Sequence, residues 1–218
     1  MTVGAPVSIA VIDYGAGNLR SIRRALEAAG AQVTVTSDPM VVHRADAVVF
    51  PGVGAAGAAM DRLRQLGLVT TIGEVVAKDR PFLGICLGMQ LLFDHQEEGN
   101  TRGLGLLQGR VHALSATVKV PQIGWNRARW LQNAAGYNEA EEEDFYFVHS
   151  YVIEPDDLAD VVAVTRYGEV FPSVVRHNQV WGTQFHPEKS GPAGLRLIAG
   201  WVDGVRASAA TTRERVPA

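Results

Sequence analysis

Cys86 is the only cysteine among 218 residues, and Gly84 and Gly88 stand two positions before and two after it. A nucleophile flanked by glycines at that spacing is the pattern of a strand running straight into a helix through a strained, exposed turn. Glycine is required at both flanking positions because the strand and helix backbones nearly touch there and leave no room for a Cβ. At the start of a helix the free N–H groups and the dipole favour a thiolate. The same five residues also describe a buried core cysteine beside two packing glycines, so the rest of the chain has to decide.

A cysteine nucleophile needs a base, and the base needs a third group to orient its ring. His186-Pro-Glu188 follows an apolar strand-like run. The proline biases His186 towards extended backbone, and in extended chain residues i and i+2 point the same way. Glu188 can then hold one ring nitrogen of His186 and leave the other for the thiol. Without the cysteine, this tripeptide reads as a strand-end turn with two exposed polar side chains. Acyl transfer further needs donors for a developing oxyanion. The elbow supplies the backbone N–H of Leu87, and the loop Pro51-Gly-Val-Gly54 is the candidate for a second, from the Gly52–Val53 region.

These residues need elements to position them. Residues 7–12, 32–36, 46–50 and 81–85 read as strands, 19–29 as a helix closed by Gly30, and 60–77 as one or two helices. Strands alternating with helices predict an α/β fold with a mostly parallel sheet, right-handed crossovers and helices on both faces. Ligands gather at the carboxyl ends of such strands. The turn Asp13-Tyr-Gly-Ala-Gly-Asn18, the Pro51–Gly54 loop and Cys86 all follow strands, so they share one rim. From about residue 103 the runs are shorter and richer in β-branched and aromatic residues (111–114, 119–126, 145–151, 161–165, 171–176 and 180–185), which predicts a mixed or antiparallel extension of the same sheet. The acidic stretch 139–144 reads as a solvated loop, 195–201 as a last helix, and 207–218 as a frayed tail. No repeat or linker divides the chain, so a single domain over residues 1–218 is expected.

Composition excludes several classes of function. Apolar residues make up 47% and charged residues 20%, and the formal charge of −3 leaves no electrostatic footprint for nucleic acid or an anionic membrane. No apolar run approaches the roughly 20 residues that span a bilayer, and residues 1–6 lack the basic and apolar regions of a secretory leader. A single cysteine forms no internal disulfide, which points to the cytoplasm. The six histidines show no zinc-ligand spacing, so neither metal nor cofactor is expected.

Together, Gly84-Ile-Cys-Leu-Gly-Met-Gln90 and His186-Pro-Glu188 resemble the triad class (class I) of glutamine amidotransferases. The stretches Asp13-Tyr-Gly-Ala-Gly-Asn-Leu-Arg-Ser21, Pro51-Gly-Val-Gly54, Lys119-Val-Pro-Gln-Ile-Gly-Trp-Asn126, Tyr146-Phe-Val-His-Ser-Tyr151 and Phe185-His-Pro-Glu-Lys-Ser-Gly191 narrow the resemblance to the glutaminase subunit of imidazole glycerol phosphate synthase, over about residues 8–200. The resemblance implies a three-layer amidotransferase fold. It also implies hydrolysis of the glutamine side-chain amide by Cys86, with His186 as base and Glu188 orienting it. Gly54, Gln90 and the backbone of Ser150 and Tyr151 match glutamine-binding positions. The family passes ammonia to a cyclase subunit, a (β/α)8 barrel that converts PRFAR to imidazole glycerol phosphate and an aminoimidazole carboxamide ribotide (AICAR) in histidine biosynthesis. A heterodimer is therefore implied, with the barrel on a separate chain and docked over the triad rim. Tyr14, Asn18, Trp125 and Lys189 are the candidate interface residues there, of types enriched at interface cores. The chain departs from the family at Gln122, where histidine is usual.

An always-open site would waste glutamine, which predicts a poor glutaminase without the partner, the Val53 N–H being turned away until the partner binds its ligand. Competing readings are another triad amidotransferase (for anthranilate, GMP or pyridoxal phosphate synthesis), a stand-alone cysteine hydrolase, and a non-catalytic docking subunit. The Ile-Gly-Trp-Asn stretch and the stand-alone length count against the first two pathways. His-Pro-Glu counts against the hydrolase, and the intact Cys86, His186 and Glu188 against the docking subunit.

Overall fold

A computed structural model of the chain describes residues 6–214. The leader reading and the end of the tail reading fall partly on residues 1–5 and 215–218, outside the described residues. In chain order the elements are β1 (Ser8–Ile12), α1 (Leu19–Ala28), β2 (Gln32–Thr36), α2 (Pro39–Arg44), β3 (Ala47–Gly52), α3 (Ala56–Gln65), α4 (Leu68–Ala77), β4 (Phe82–Cys86) and α5 (Leu87–Gln90). There follow β5 (Phe93–Gln96), β6 (Thr101–Arg102), β7 (Leu107–Ala113), β8 (Gln122–Trp130), β9 (Glu142–His149), β10 (Tyr151–Pro155), β11 (Val161–Tyr167), β12 (Glu169–His177), β13 (Val180–Thr183) and α6 (Gly191–Glu214).

A nine-stranded sheet in the order β2-β1-β3-β4-β13-β12-β11-β8-β9 forms the central layer. Its β2-β1-β3-β4-β13 half is parallel, and the pairs from β13 to β9 are antiparallel. Successive strand residues face opposite sides, and the core divides accordingly. Val49, Leu83 and Ile85 pack with α1 and α6 through Ile22, Leu26, Leu197 and Val202. Val48, Phe50 and Phe82 pack with α3 and α4 through Met60, Leu63, Ile72 and Val75.

Three sequence expectations need correction. The extension is not one sheet: β10-β7-β5-β6 form a separate four-stranded sheet. Leu107, Val111 and Ile153 of that sheet are buried in the cluster with α3 and α4, so an apolar face of its own draws it onto the other side. The acidic stretch is not wholly a loop, because Glu142, Glu143 and Asp144 open β9 and pair with β8; alternate exposed positions on an edge strand tolerate charge. Finally, residues 207–214, read as a frayed tail, continue α6. Val205 packs in the core and Arg206 bonds to the Ala29 carbonyl and Asp203, which anchors the helix well beyond residue 201.

Candidate active site

Register brings the chemistry together. Gly52 of β3 is the partner of Cys86 on one side of β4, and Thr183 of β13 is the partner of Ile85 on the other. The chain one step past Thr183 therefore sets Gln184 beside Cys86, and His186 lies two residues further on.

The elbow has the geometry that its glycines require. Cys86 has φ 55° and ψ −114°, a left-handed backbone that a non-glycine residue adopts only under strain. The reversal takes its side chain out of the alternation of β4 and into the cluster shared with α1 and α6. A Cβ on Gly84 would lie 2.8 Å from the carbonyl oxygen of Gly88 and from Met89, and one on Gly88 would collide with the Phe50 carbonyl. Gly52 is equally confined, at 2.6 Å from the Gly88 nitrogen. The helix after the elbow is only the single turn Leu87–Gln90. With so few aligned peptides the helix dipole is small, so the free N–H groups at the turn, not a macrodipole, are what the site offers a charge.

Nδ1 of His186 lies 2.9 Å from Oε1 of Glu188, and the two side chains are only 3% and 2% exposed. His186 is extended (φ −97°, ψ 96°), as the following proline predicts, but Pro187–Lys189 form a 3-10 turn, so the contact is made across a turn and not along a strand. Ser190 fixes this turn: its hydroxyl donates to the His186 carbonyl at 2.7 Å and accepts the Tyr146 N–H at 3.0 Å. Nε2 of His186 is buried and has no hydrogen-bond partner among the described residues. Burial by itself pulls the His186 pKa down, but the neighbouring Cys86 and Glu188 outweigh it and raise the value to about 9. Cys86 is thus close enough to act on the ring, and catalytic hydrogen bonds commonly tighten only when substrate binds.

One cleft holds Cys86, Leu87, Val53, Gly54, Gln90, Ser150 and Tyr151, so the candidate nucleophile, the oxyanion candidates Leu87 and Val53 and the glutamine-binding candidates share a wall, which Gly52 does not line. Glu98, Pro121, Val148 and His149 line it too. Glu98 carries no sequence signal of a site residue; it reaches the cleft from a 3-10 turn after β5 and accepts the Ala56 N–H at 2.7 Å. The interface candidates separate. Trp125 (60% exposed) and Lys189 flank Tyr146 on the rim, with ring centroids 6.2 Å apart and the lysine Nζ 5.9 Å from the Tyr146 ring. Asn18 is half-buried and makes no side-chain cap bond to α1. Tyr14 is buried instead of presented, its hydroxyl accepting the Val53 N–H at 3.1 Å and donating to the Val53 carbonyl at 3.3 Å. Burial pushes its pKa up to about 12, so the phenol stays neutral and can do both.

Gln122 stands in a buried polar group. His149 has Nε2 3.1 Å from the Gln122 side-chain oxygen and Nδ1 2.9 Å from the Tyr151 carbonyl. Burial pulls the His149 pKa down to about 4, and the charge of His186 pulls in the same direction.

A strained cysteine between confined glycines, with a histidine–carboxylate pair beside it on an α/β sheet, is an arrangement suited to acyl transfer through a thiol. The family model "Glutamine amidotransferase class-I" matches residues 10–202, and the chain belongs to that family. Solved structures with the same fold include PurLQS from Thermotoga maritima (TM-score 0.71, 18% identity, 92% of this chain and 99% of that one). Another is described as a glutamine amidotransferase (TM-score 0.72, 17% identity, 91% and 98%). Within the family the chain groups with the imidazole glycerol phosphate synthase subunit HisH. It is 49% identical over 191 residues to HisH of Aquifex aeolicus, covering 86% of this chain and 92% of the relative. The HisH of Methanothermobacter thermautotrophicus is 47% identical over 200 residues, covering 91% and 100%.

Proposed function

We propose that this single glutaminase domain hydrolyses glutamine through the triad Cys86, His186 and Glu188 and passes the ammonia to a cyclase subunit. The observation carrying this reading is the buried His186–Glu188 pair at 2.9 Å, with Nε2 left free beside the strained Cys86. His186 takes the thiol proton, and Cys86 Sγ adds to the side-chain amide carbon of glutamine. The oxyanion falls to the Leu87 N–H and the Val53 N–H. As the tetrahedral species collapses, the carbon–nitrogen bond breaks and His186 returns its proton to the leaving nitrogen, which departs as ammonia. Water, deprotonated by His186, then cleaves the γ-glutamyl thioester and releases glutamate and the thiol. Gly54, Gln90, Ser150 and Tyr151 form the glutamine wall, and the Glu98 carboxylate has the charge to meet the substrate's α-ammonium group.

Ammonia released into water would be protonated and lost as a nucleophile. The acceptor is a (β/α)8 cyclase subunit seated over the triad rim in a heterodimer. There Ile123 and Trp125 present 63% and 60% of their surface, Trp125 against the Tyr146 ring that Lys189 also meets, and the barrel turns PRFAR into imidazole glycerol phosphate and AICAR. Glutamate release by the full chain, alone and with the cyclase and its nucleotide ligand, tests the reading. A large rise with partner and ligand, abolished in Cys86→Ala, is expected. High activity indifferent to the cyclase points to another acceptor pathway, and none in either state to a docking subunit.

A further inference from the structure

Gln184 is fully buried, directly before the Phe-His-Pro-Glu motif, and no role for it follows from the triad. Its amide nitrogen donates to Cys86 Sγ at 3.7 Å, and its amide oxygen accepts from Gln90 Nε2 at 3.0 Å. Which end of a glutamine amide is nitrogen has to be argued from its partners, and here the partners decide. The Tyr151 carbonyl can only accept, so the group of Gln90 lying 2.9 Å from it is the NH2. That same NH2 faces Gln184, so the near end of Gln184 is its oxygen and the far end, at the sulfur, its NH2. The backbone is pinned as well: the Gln184 N–H donates to the Ser173 carbonyl at 2.9 Å, and Gln96 Nε2 donates to the Gln90 carbonyl at 2.8 Å.

The sulfur has a second polar neighbour, the Val148 carbonyl at 3.8 Å, which accepts from the thiol. The two contacts act in opposite senses. Once the proton moves to His186 the carbonyl has nothing to accept, whereas the N–H of Gln184 faces a negative sulfur and strengthens.

We propose that Gln184 is a further catalytic residue, whose amide N–H, oriented by Gln90, holds the charge of the Cys86 sulfur after its proton has passed to His186. The assignment rests on Cys86 being the nucleophile. It also gives Gln90 a second task, linking the glutamine wall to the donor on the sulfur.

The only cysteine in the chain makes its alkylation a clean readout. Iodoacetamide labelling of the full chain is followed by mass from pH 5 to 10 in the wild type, Gln184→Met and Gln184→Glu. Glutaminase kcat and KM are measured with the cyclase and its nucleotide ligand. In Gln184→Met, labelling on the acid side slows roughly ten- to hundredfold, the worth of a hydrogen bond to a charged group. Its profile moves to higher pH and meets the wild type at the alkaline end, while kcat falls by a similar factor and by more than KM changes. Gln184→Glu, nearly isosteric, falls further at neutral pH because a carboxylate faces the sulfur, and it serves if the methionine variant does not fold. An unmoved profile overturns the proposal, as does a change by one constant factor at every pH, which is what loosened packing produces. Glutamate release by Cys86→Ala would instead remove the nucleophile itself, a result separate from either.

Discussion

The hydroxyl of Tyr14 accepts the peptide N–H of Val53 at 3.1 Å, so the N–H proposed as the loop's oxyanion donor is already engaged by a buried phenol. This gives a form to the expectation that the subunit idles without its partner: on the proposed mechanism the peptide would have to leave Tyr14 before it could serve the reaction. Tyr14→Phe removes the latch and keeps the ring that packs edge-on against Phe50 at 5.7 Å. One net hydrogen bond is worth about 1 kcal/mol, so partner-free glutaminase turnover should rise several-fold. Fully stimulated turnover should change little. Steady-state glutamate release with and without the cyclase reads both numbers, and an unchanged partner-free rate would show that the latch does not limit it.

The two buried histidines should give stability opposite pH dependences. His149 is depressed to about 4, so its contribution is complete above its unfolded value of 6.5 and is lost as pH falls towards 4. At about 1.4 kcal/mol per pKa unit, the loss approaches 3 kcal/mol. His186 is raised to about 9, so its contribution is complete below 6.5 and disappears as pH rises through 9. Denaturant melts from pH 4 to 10 should therefore show stability falling at both ends. His149→Phe should flatten the acid side, and failure to do so would remove His149 as the cause.

Gln122 should act through His149. A neutral imidazole has one N–H, and since the Tyr151 carbonyl only accepts, that proton belongs on Nδ1. Nε2 then accepts, so Gln122 must turn its NH2 towards the ring. Gln122→Leu leaves a buried acceptor unpaired and should cost about 1–3 kcal/mol, whereas Gln122→His restores a donor and should cost less. Long-range proton–nitrogen spectra of the ring check the tautomer, and an Nε2–H form in the wild type would contradict the assignment.

Glu188→Gln keeps the shape of the side chain but not its charge. The 2.9 Å contact no longer supports an imidazolium, and His186 drops back towards the ordinary histidine range. General-base catalysis contributes roughly 10²–10⁴-fold, and kcat of the stimulated complex should fall within that range with a smaller change in KM. A loss under threefold would leave Glu188 a packing residue.

The elbow glycines should be intolerant, and a helix glycine in open space should not. Gly88→Ala drives a Cβ into the Phe50 carbonyl and should destabilise by roughly 3–5 kcal/mol. Gly73→Ala, in the middle of α4 with nothing within 4 Å, should be neutral or stabilise by up to about 1 kcal/mol. Thermal melts of the two proteins test the contrast.

Much of this molecule is legible in its sequence because the relevant physics is local. Hydrophobic runs of strand length, the helix closed before Gly30 and the Gly84-x-Cys86-x-Gly88 spacing express themselves within a few residues, and β1, α1, β2 and β4 lie close to where periodicity puts them. Helix α2 is too short for periodicity to reveal, although it carries a local signal, Asp38 capping the Met40 N–H at 2.8 Å with proline at the first turn. Other features depend on residues far apart in the chain. Splitting of the later strands into two sheets depends on which apolar faces find each other. Burial of Tyr14 depends on a loop 39 residues away, and Gln184 meets Cys86 across 98 residues through the register of β13 on β4. The sequence determined which groups could do chemistry. Only the tertiary structure decided which nitrogen faces the sulfur and which N–H is held back, because hydrogen-bond direction is set by partners that folding alone brings within reach.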